Sequence, residues 1–285
     1  MAMRSFHART RKSEQHYEGI EPARAPPEPR NRHGLVRADA LLVTCALAPS
    51  RTVAQRMIAA GRVSGPDGPI DKPSFELPAS ATLQVREDAD DRYASRGGLK
   101  LAGALAHTGI AVRGRTCLDV GQSTGGFTDC LLQSGAARVV GVDVGHAQLR
   151  PKLRDDPRVA CIEGVNARAL ERADLGEHCP ESGFELIVAD VSFISLTLVL
   201  PQLPALLATD GEMILLVKPQ FEMGSPEAVG KGGVIRDAKV YPQVEAKLRA
   251  ACAAAGLAVL DWFESCIVGG DGNREFFIHL RHEKD

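Results

Sequence analysis

The stretch LDVGQSTGGFTDCLL, Leu118 to Leu132, holds two chemistries in one spacing. Gly121-Gln122-Ser123-Thr124-Gly125 has the G-x-S-x-G form of an elbow that exposes a nucleophilic serine between a strand and a helix. The same residues form a small Gly-rich loop after a strand, of the kind that presents backbone N–H groups to a nucleotide-like ligand. A hydrolase built on Ser123 needs an acid and then a loop histidine further along the chain. Asp190 is available as the acid. His279 and His282, however, fall within and just after an edge-like terminal strand, and the elbow follows the first strand of its unit, with no earlier strand to build an oxyanion hole. Hydrolysis is therefore disfavoured.

A dinucleotide fares no better. Its loop needs a second glycine so that pyrophosphate can approach the backbone, and Ser123 stands in that place. Asp143 nevertheless lies 22 residues past Gly121, a spacing suited to a ribose hydroxyl. A ligand with a ribose and no pyrophosphate meets both conditions, and S-adenosylmethionine is such a ligand. The loop amides with Ser123 or Thr124 would hold its amino-acid end, and Asp143 would accept from its ribose. The expected cofactor set is Asp119, Gly121, Ser123, Thr124, Gly125, Gly126 and Phe127, then Asp143 and Val144, then Asn166 and Asp190. Asn166 reads equally as a loop-capping asparagine.

These residues need a scaffold. From about Ser95, strand-length apolar runs alternate with helical stretches: TCLDV (116–120), RVVGVDV (138–144), VACIEG (159–164), ELIVADV (185–191), EMILLVK (212–218), LAVLDWF (257–263) and FFIHL (276–280). The first five are nearly continuous apolar runs, as in strands buried on both faces. The pattern predicts an α/β, Rossmann-like, doubly wound domain with a mostly parallel sheet. Ligands of such sheets bind beyond the carboxyl ends of the strands. Gly121, Asp143, Asp190 and Lys218 all follow or end strands, so they fall on one edge.

Ahead of this domain lies a different unit. Residues 1–33 contain RAPPEPRNRH without hydrophobic periodicity and read as a disordered basic extension. Residues 34–95 read as a small α+β unit, with helices at Val36–Leu47 and Arg51–Ala60, Ser50 as an N-cap and Gly61 as a stop. Short strands follow at Arg62–Val63, Ile70 and Thr82–Val85, with a turn over Gly65–Gly68. On the second helix Val53, Met57 and Ala60 share a core face. Arg51 and Gln55 lie opposite, and Arg62 follows, which makes either a phosphate-gripping surface or an ordinary polar face. Residues 1–62 carry 11 Lys/Arg and 5 Asp/Glu, a net of +6, within a chain of net charge −2. A basic front on an acidic body suits a polyanion-binding module as well as a solvated tail.

At 285 residues, 44% hydrophobic and 25% charged, the composition is that of a soluble globular protein. Seven scattered cysteines without a C-x-x-C pair argue against a disulfide framework and a structural zinc; most read as buried small hydrophobes. The opening MAMRSFHARTRKSEQ lacks the apolar core of a signal peptide, and LTLVLPQLPALLA is too short to span a bilayer. The expectation is a cytoplasmic protein without membrane or metal.

Two resemblances sharpen this reading. Arg37, Asp39 and Leu42, then Ser50, Arg51, Ala54, Ile58, Gly61 and Val63, then Lys72 to Ser74, are similar to the S4 RNA-binding domain. SGPDGPIDKPS departs from that domain's usual V-N-G turn. SRGGLKL (95–101), LDVGQSTGGFTD (118–129), VDVGHAQL (142–149), ADVSFISL (189–196), LVKPQFE (216–222), VGKGGVIRD (229–237) and GNREFFIHL (272–280) resemble the TlyA family. These are S4-containing rRNA 2′-O-methyltransferases with an FtsJ-like catalytic domain, sometimes labelled haemolysins. Gln122 stands where the family loop has Ala or Ser, and EGVN (163–166) replaces the usual R-T-N.

The resemblance implies a Lys-Asp-Lys-Glu tetrad at Lys100, Asp190, Lys218 and Glu275. It also implies S-adenosylmethionine as cofactor and ribosomal RNA, within ribosomal subunits, as partner. Cytidine is the implied target. Arg37, Arg51, Gln55, Arg62 and Lys72, with Arg96, are the expected RNA contacts. A ribose hydroxyl is a poor nucleophile, so a base must take its proton, and a lysine serves when a second ammonium stands nearby. Lys218 is the expected base, Lys100 its neighbour, and the two carboxylates hold the amines. Glu222 and the loop with Lys231 are expected over the same edge. Two other classes compete: a non-catalytic RNA-binding assembly factor and a membrane-active haemolysin.

Overall fold

The computed structural model describes residues 34–48, 50–86, 92–223 and 233–283. The expected extension over 1–33 and Lys231 lie outside the described residues. The chain divides into two compact units between Arg86 and Glu87. That division comes before residue 95 because Tyr93 and Ala94 are buried in the core of the larger unit.

In the smaller unit, β1 (Leu35–Arg37) leads into α1 (Ala38–Thr44), followed by α2 (Arg51–Ala59). Next come β2 (Val63–Gly65), β3 (Gly68–Pro69), β4 (Glu76–Pro78) and β5 (Gln84–Val85). The first helix starts at Ala38 rather than Val36, because Leu35–Arg37 pair antiparallel with Glu76–Pro78. Ser50 caps α2 by accepting from the Val53 amide at 3.3 Å. The face of α2 that enters the core is Ala54, Met57 and Ile58. Val53 is half-buried and Ala60 exposed, so the expected Val53/Met57/Ala60 stripe is rotated by about one residue. The tight turn joins β2 to β3 as read, with Gly65 opposite Gly68.

The larger unit is one seven-stranded sheet between helices. Along the chain it runs α3 (Arg96–Thr108), β6 (Thr116–Val120), α4 (Gly126–Gln133), β7 (Arg138–Asp143), α5 (Pro151–Arg154), β8 (Val159–Glu163), α6 (Arg172–Leu175) and β9 (Phe184–Ala189). It continues with β10 (Leu207–Val217), α7 (Pro219–Glu222), α8 (Val240–Ala254), β11 (Leu257–Glu264) and β12 (Phe276–His282). The strand order is β11-β12-β10-β9-β6-β7-β8. Strands β6 to β10 pair in parallel, as their apolar runs require. The last strand differs from expectation. β12 is not at an edge: it lies between β10 and β11, antiparallel to both. His279 is accordingly buried in mid-sheet, 2.9 Å from Glu212, and not on a loop.

Two apolar layers enclose the sheet, one including Leu118, Val140, Ile187 and Leu215, the other Cys117, Val139, Leu186 and Ile214. Alternate residues of the same strands feed opposite layers. All seven cysteines are free; only Cys117, Cys130 and Cys252 are fully buried. Among the described residues no helix is long and apolar enough to cross a membrane.

Candidate active site

The carboxyl ends of β6, β7, β9 and β10 share one edge of the sheet. Because β12 runs the opposite way, its first end also reaches that edge, and Glu275 immediately precedes it. Lys100 arrives from α3, whose start packs on the cofactor loop. A side chain on Gly98 would strike Tyr93 at 2.4 Å and the Gly126 carbonyl at 2.8 Å, so the glycine lets the two backbones meet. Ser95 caps α3 at that contact, accepting from the Gly97 amide at 3.3 Å.

The loop turns at Gly121, with φ of +84°. A Cβ there would lie 2.6 Å from the Asp190 carbonyl oxygen, so only glycine brings the loop this close to β9. Ser123 is also left-handed, at φ +48°. Its amide donates to Asp143 Oδ2 at 2.7 Å and its hydroxyl to Gln148 at 3.1 Å. Among the described residues no histidine hydrogen-bonds to Ser123, so the elbow lacks the base that a nucleophile requires.

A narrow cleft of about 130 Å³ opens here, lined by Ser95, Gly97, Gly121, Gln122, Ser123, Thr124, Gly126, Phe127, Asp190, Ser192 and Lys218. Six of the expected cofactor residues are therefore on its wall. Gly125 caps α4 just behind it. Asp143 stands beside it, with one oxygen on the Ser123 amide and the other on the Gly145 amide at 2.7 Å. Val144, next along, is 68% exposed. Asn166 acts as a cap, accepting from the Arg168 amide at 3.1 Å, which was the alternative reading. Ser95, Gly97, Gln122 and Ser192 are not among the expected cofactor residues; the first two lie in SRGGLKL, beside Arg96 and Lys100.

Asp119 is a correction. It lies fully buried beneath the loop, where it cannot touch a ligand. Its Oδ2 accepts from the Thr128 hydroxyl at 2.7 Å, and Thr128 accepts from Gln122 Nε2 at 2.9 Å. Asp119 Oδ1 and Gln122 Oε1 are buried acceptors without donors. Burial pushes the Asp119 carboxyl up to about 7, against the pull of the Thr128 hydroxyl. The folded protein thus keeps a proton that the unfolded chain sheds near pH 4. This group's contribution to stability is full at the acid end and is lost as pH rises toward about 7. Asp119→Asn supplies the missing donor without the charge. The variant is expected to melt roughly 5 °C higher than the parent at pH 8. The gap should shrink to about a third at pH 5, about one pH unit into the window between the two pKa values; an unchanged gap across that range would refute the account.

The tetrad assembles as two ion pairs. Lys218 Nζ is 2.5 Å from Asp190 Oδ1 and donates to Ser192 Oγ at 2.7 Å. Lys100 Nζ is 2.5 Å from Glu275 Oε2, both side chains over 90% buried. Burial raises the Glu275 carboxyl above its ordinary value, with Lys100 and then Lys218 drawing it back. A wider cavity of about 500 Å³ lies alongside, lined by Lys100, Ser192, Phe193, Lys218, Gln220, Phe221, Gly233, Gly270, Asp271 and Glu275. Lys218 and Ser192 border both spaces.

Phe193 was missed as a site residue. It is 91% exposed, its backbone is left-handed at φ +63°, and its ring lies 5.2 Å from that of Phe221. A bulky residue in that conformation is held by its surroundings. Glu222 supplies part of the hold. It is buried and accepts from the Leu196 amide at 2.7 Å and the Ser195 hydroxyl at 2.5 Å, so it staples the segment after β9 to α7. It does not line either cavity.

In the smaller unit Arg37, Arg51 and Gln55 converge on the buried Asp39. Arg62 does not face water as expected. It is buried, with Nε donating to the Arg86 carbonyl at 3.0 Å, which ties the residue before β2 to the residue after β5. Lys72 is exposed, and Arg96 is half-buried with a donor on the Val268 carbonyl at 3.0 Å.

A parallel α/β sheet closed by one antiparallel strand, with a Gly-rich cleft at its switch point, defines a Rossmann-like methyltransferase fold. Residues 93–282 match the FtsJ-like methyltransferase family. The 16S/23S rRNA (cytidine-2′-O)-methyltransferase TlyA of Mycobacterium tuberculosis is 44% identical over 254 residues, 87% of this chain and 91% of that one. Hemolysin A of Brachyspira hyodysenteriae is 37% identical, covering 81% and 93% of the two chains. The solved structure of a Streptococcus thermophilus protein named as a hemolysin superposes with a TM-score of 0.69 at 38% identity, covering 88% and 90%. The chain belongs to the FtsJ-like methyltransferases, within the group of TlyA relatives.

Proposed function

We propose that the protein methylates the 2′-hydroxyl of a ribose, that of a cytidine, in ribosomal RNA, using S-adenosylmethionine. The observation that carries this reading is the position of Lys218 on the wall between the two cavities, with Asp190 and Ser192 as its partners. The narrow cleft suits the cofactor. Its glycines leave open backbone, and a Cβ on Gly126 would lie 2.2 Å from Ser95 Oγ. Ser95, Gly97, Ser123 and Thr124 would hold the amino-acid end, and Asp143 and Val144 would receive the ribose and base. When bound, the cofactor supplies an electrophilic methyl group on a sulfonium.

The chain's own residues do the rest. In its uncharged amine form Lys218 orients the ribose hydroxyl and accepts its proton as the oxygen attacks carbon, becoming the ammonium that pairs with Asp190. Asp190 and Ser192 fix the amine that does this. Lys100 contributes a second positive charge across the site, and Glu275 holds it there. Fixed geometry between a hydroxyl and a methyl donor supplies much of the acceleration. The exposed Phe193, backed by Phe221, offers a face on which an unstacked base can lie.

The smaller unit, described over residues 34–86, is read as an S4-type RNA-binding module. The half-exposed Arg37 and Arg51 and the exposed Lys72 support that reading. The methyltransferase domain then lies within the larger unit that follows Arg86 and takes in Tyr93 and Ala94. The name of one relative raises a membrane-active reading, which a liposome-leakage assay with purified protein addresses directly.

The deciding experiment incubates methyl-labelled S-adenosylmethionine with purified subunits from unmodified ribosomes. The expected label resides in rRNA, in an alkali-resistant dinucleotide containing 2′-O-methylcytidine. Label on a base or on protein would defeat the proposal. A second expectation concerns Phe193→Ala. Base–aromatic stacking is worth about 1–3 kcal/mol, so kcat/KM for RNA should fall roughly 5- to 100-fold. Cofactor affinity, measured calorimetrically, should stay at the parent value.

A further inference from the structure

The smaller unit contains a buried charge that the methyl-transfer site does not use. Asp39, in the first turn of α1, is wholly shielded from solvent. A buried carboxylate persists only where donors surround it. All of its side-chain donors come from residues that reach the surface. Arg37 forks both oxygens, with Nε 3.0 Å from Oδ1 and Nη2 2.9 Å from Oδ2. Arg51 Nη2 at 3.0 Å and Gln55 Nε2 at 2.9 Å, one turn apart on α2, meet on Oδ2. The hydrogen bonds from Arg37, then Gln55 and Arg51, hold the carboxyl well below the usual carboxylate range, against the opposing effect of burial.

The two guanidiniums are only partly consumed. Their side chains remain 44% and 57% exposed. A guanidinium has five N–H donors; Asp39 takes two from Arg37 and one from Arg51. The segment around Lys72 folds onto the same end of α1, because the Ala38 and Asp39 amides donate to the Phe75 and Pro73 carbonyls. The segment carrying Lys72 thus lies by the end of α1 where Arg37 and Arg51 cover the buried Asp39, with Glu76 opposite Arg37 in the β1–β4 pair.

We propose that Asp39 is a positioning residue for RNA binding, holding Arg37 and Arg51 as an outward-facing pair of forks for a backbone phosphate. The inference rests on reading the smaller unit as an RNA-binding surface. Long arginine side chains lose freedom when they grip a phosphate, and ordering them beforehand removes that loss from the binding step. Planar forks suit phosphate oxygens when their direction is set in advance.

Charge counting makes the opposite prediction, and this permits a clean test. Asp39→Asn raises the charge of the cluster, so a purely coulombic surface would bind RNA more tightly. Positioning requires weaker binding. The experiment titrates the full chain against deproteinised ribosomal RNA over a series of KCl concentrations. It uses the parent, Asp39→Asn, Arg51→Gln and the double variant. Asp39→Asn is expected to bind about tenfold more weakly near 0.1 M salt, with a salt slope reduced by about one phosphate contact. In the Arg51→Gln background the same change should cost only about two- to threefold, since Asp39 acts through the arginines. Equal or tighter binding by Asp39→Asn overturns the proposal. An equal loss in both backgrounds, as local unfolding would give, also overturns it. If Arg51→Gln binds like the parent, the RNA-binding reading itself falls; if only Asp39→Asn does, that reading stands and the positioning role fails.

Discussion

Lys218→Ala is expected to lower methyl transfer by roughly 10²–10⁴-fold, the range associated with a positioned general base. Lys218 leaves β10 at the sheet edge, and its amine touches Asp190 and Ser192 between the two cavities. Under the proposed mechanism alanine removes the group that orients and deprotonates the hydroxyl, while the Gly-rich loop of the cleft stays in place. RNA affinity should remain near the parent value, because one charge among many changes. Lys218→Arg should be almost as inactive: a guanidinium keeps its proton and is too wide for the gap between Asp190 and Ser192. Single-turnover rates with saturating RNA and cofactor measure this. A near-parental rate for Lys218→Ala would remove Lys218 from the mechanism.

Glu275→Gln is expected to cost both activity and stability. It strands the ammonium of Lys100, whose side chain is over 90% buried and has Glu275 as its ion partner. Breaking one side of such a pair costs about 3–5 kcal/mol. The companion variant separates the two effects. Lys100→Met with Glu275→Leu removes both charges from the same space, and apolar replacement of a buried pair is commonly neutral or stabilising. The double variant should therefore melt within a few degrees of the parent and still fail to methylate RNA. Calorimetric melting alongside the methylation assay reads both. Activity retained in the stable double variant would make this pair a structural element only.

The strands of the large sheet were legible because burial on both faces writes itself as apolar runs at 116–120, 138–143, 159–163 and 184–189. Strand ends then pointed to the edge where Asp190 and Lys218 meet. Lateral order is another matter. Nothing in FFIHL distinguishes an edge strand from one inserted between β10 and β11, since both are apolar and short. Local backbone states were equally hidden: nothing in ADVSFISL marks Phe193 as the residue that combines a positive φ with an exposed ring. The burial of Arg62 depends on a carbonyl 24 positions away, at Arg86. In the smaller unit β1 and β4 are three residues each, too short to show a period, and β1 was absorbed into the first helix. Asp119 was misread for a simpler reason. An acid at the end of a strand can point up into a ligand or down under the loop, and its spacing is the same in both cases.

The insertion of β12 has a consequence for how the enzyme comes into being. This strand is the final one in chain order, yet it occupies an interior slot, with Glu275 at its head. A ribosome releases the chain from its beginning, so β6 to β10 and the cofactor loop can gather while β12 is still unmade. Such an intermediate carries Lys100, Asp190 and Lys218 without the carboxylate that steadies Lys100. The sheet gains its penultimate strand and the site its fourth member in one event. Under the proposed mechanism, chemical competence waits on this last strand of the sheet, and a chain that has folded only β6 to β10 holds three of the four groups.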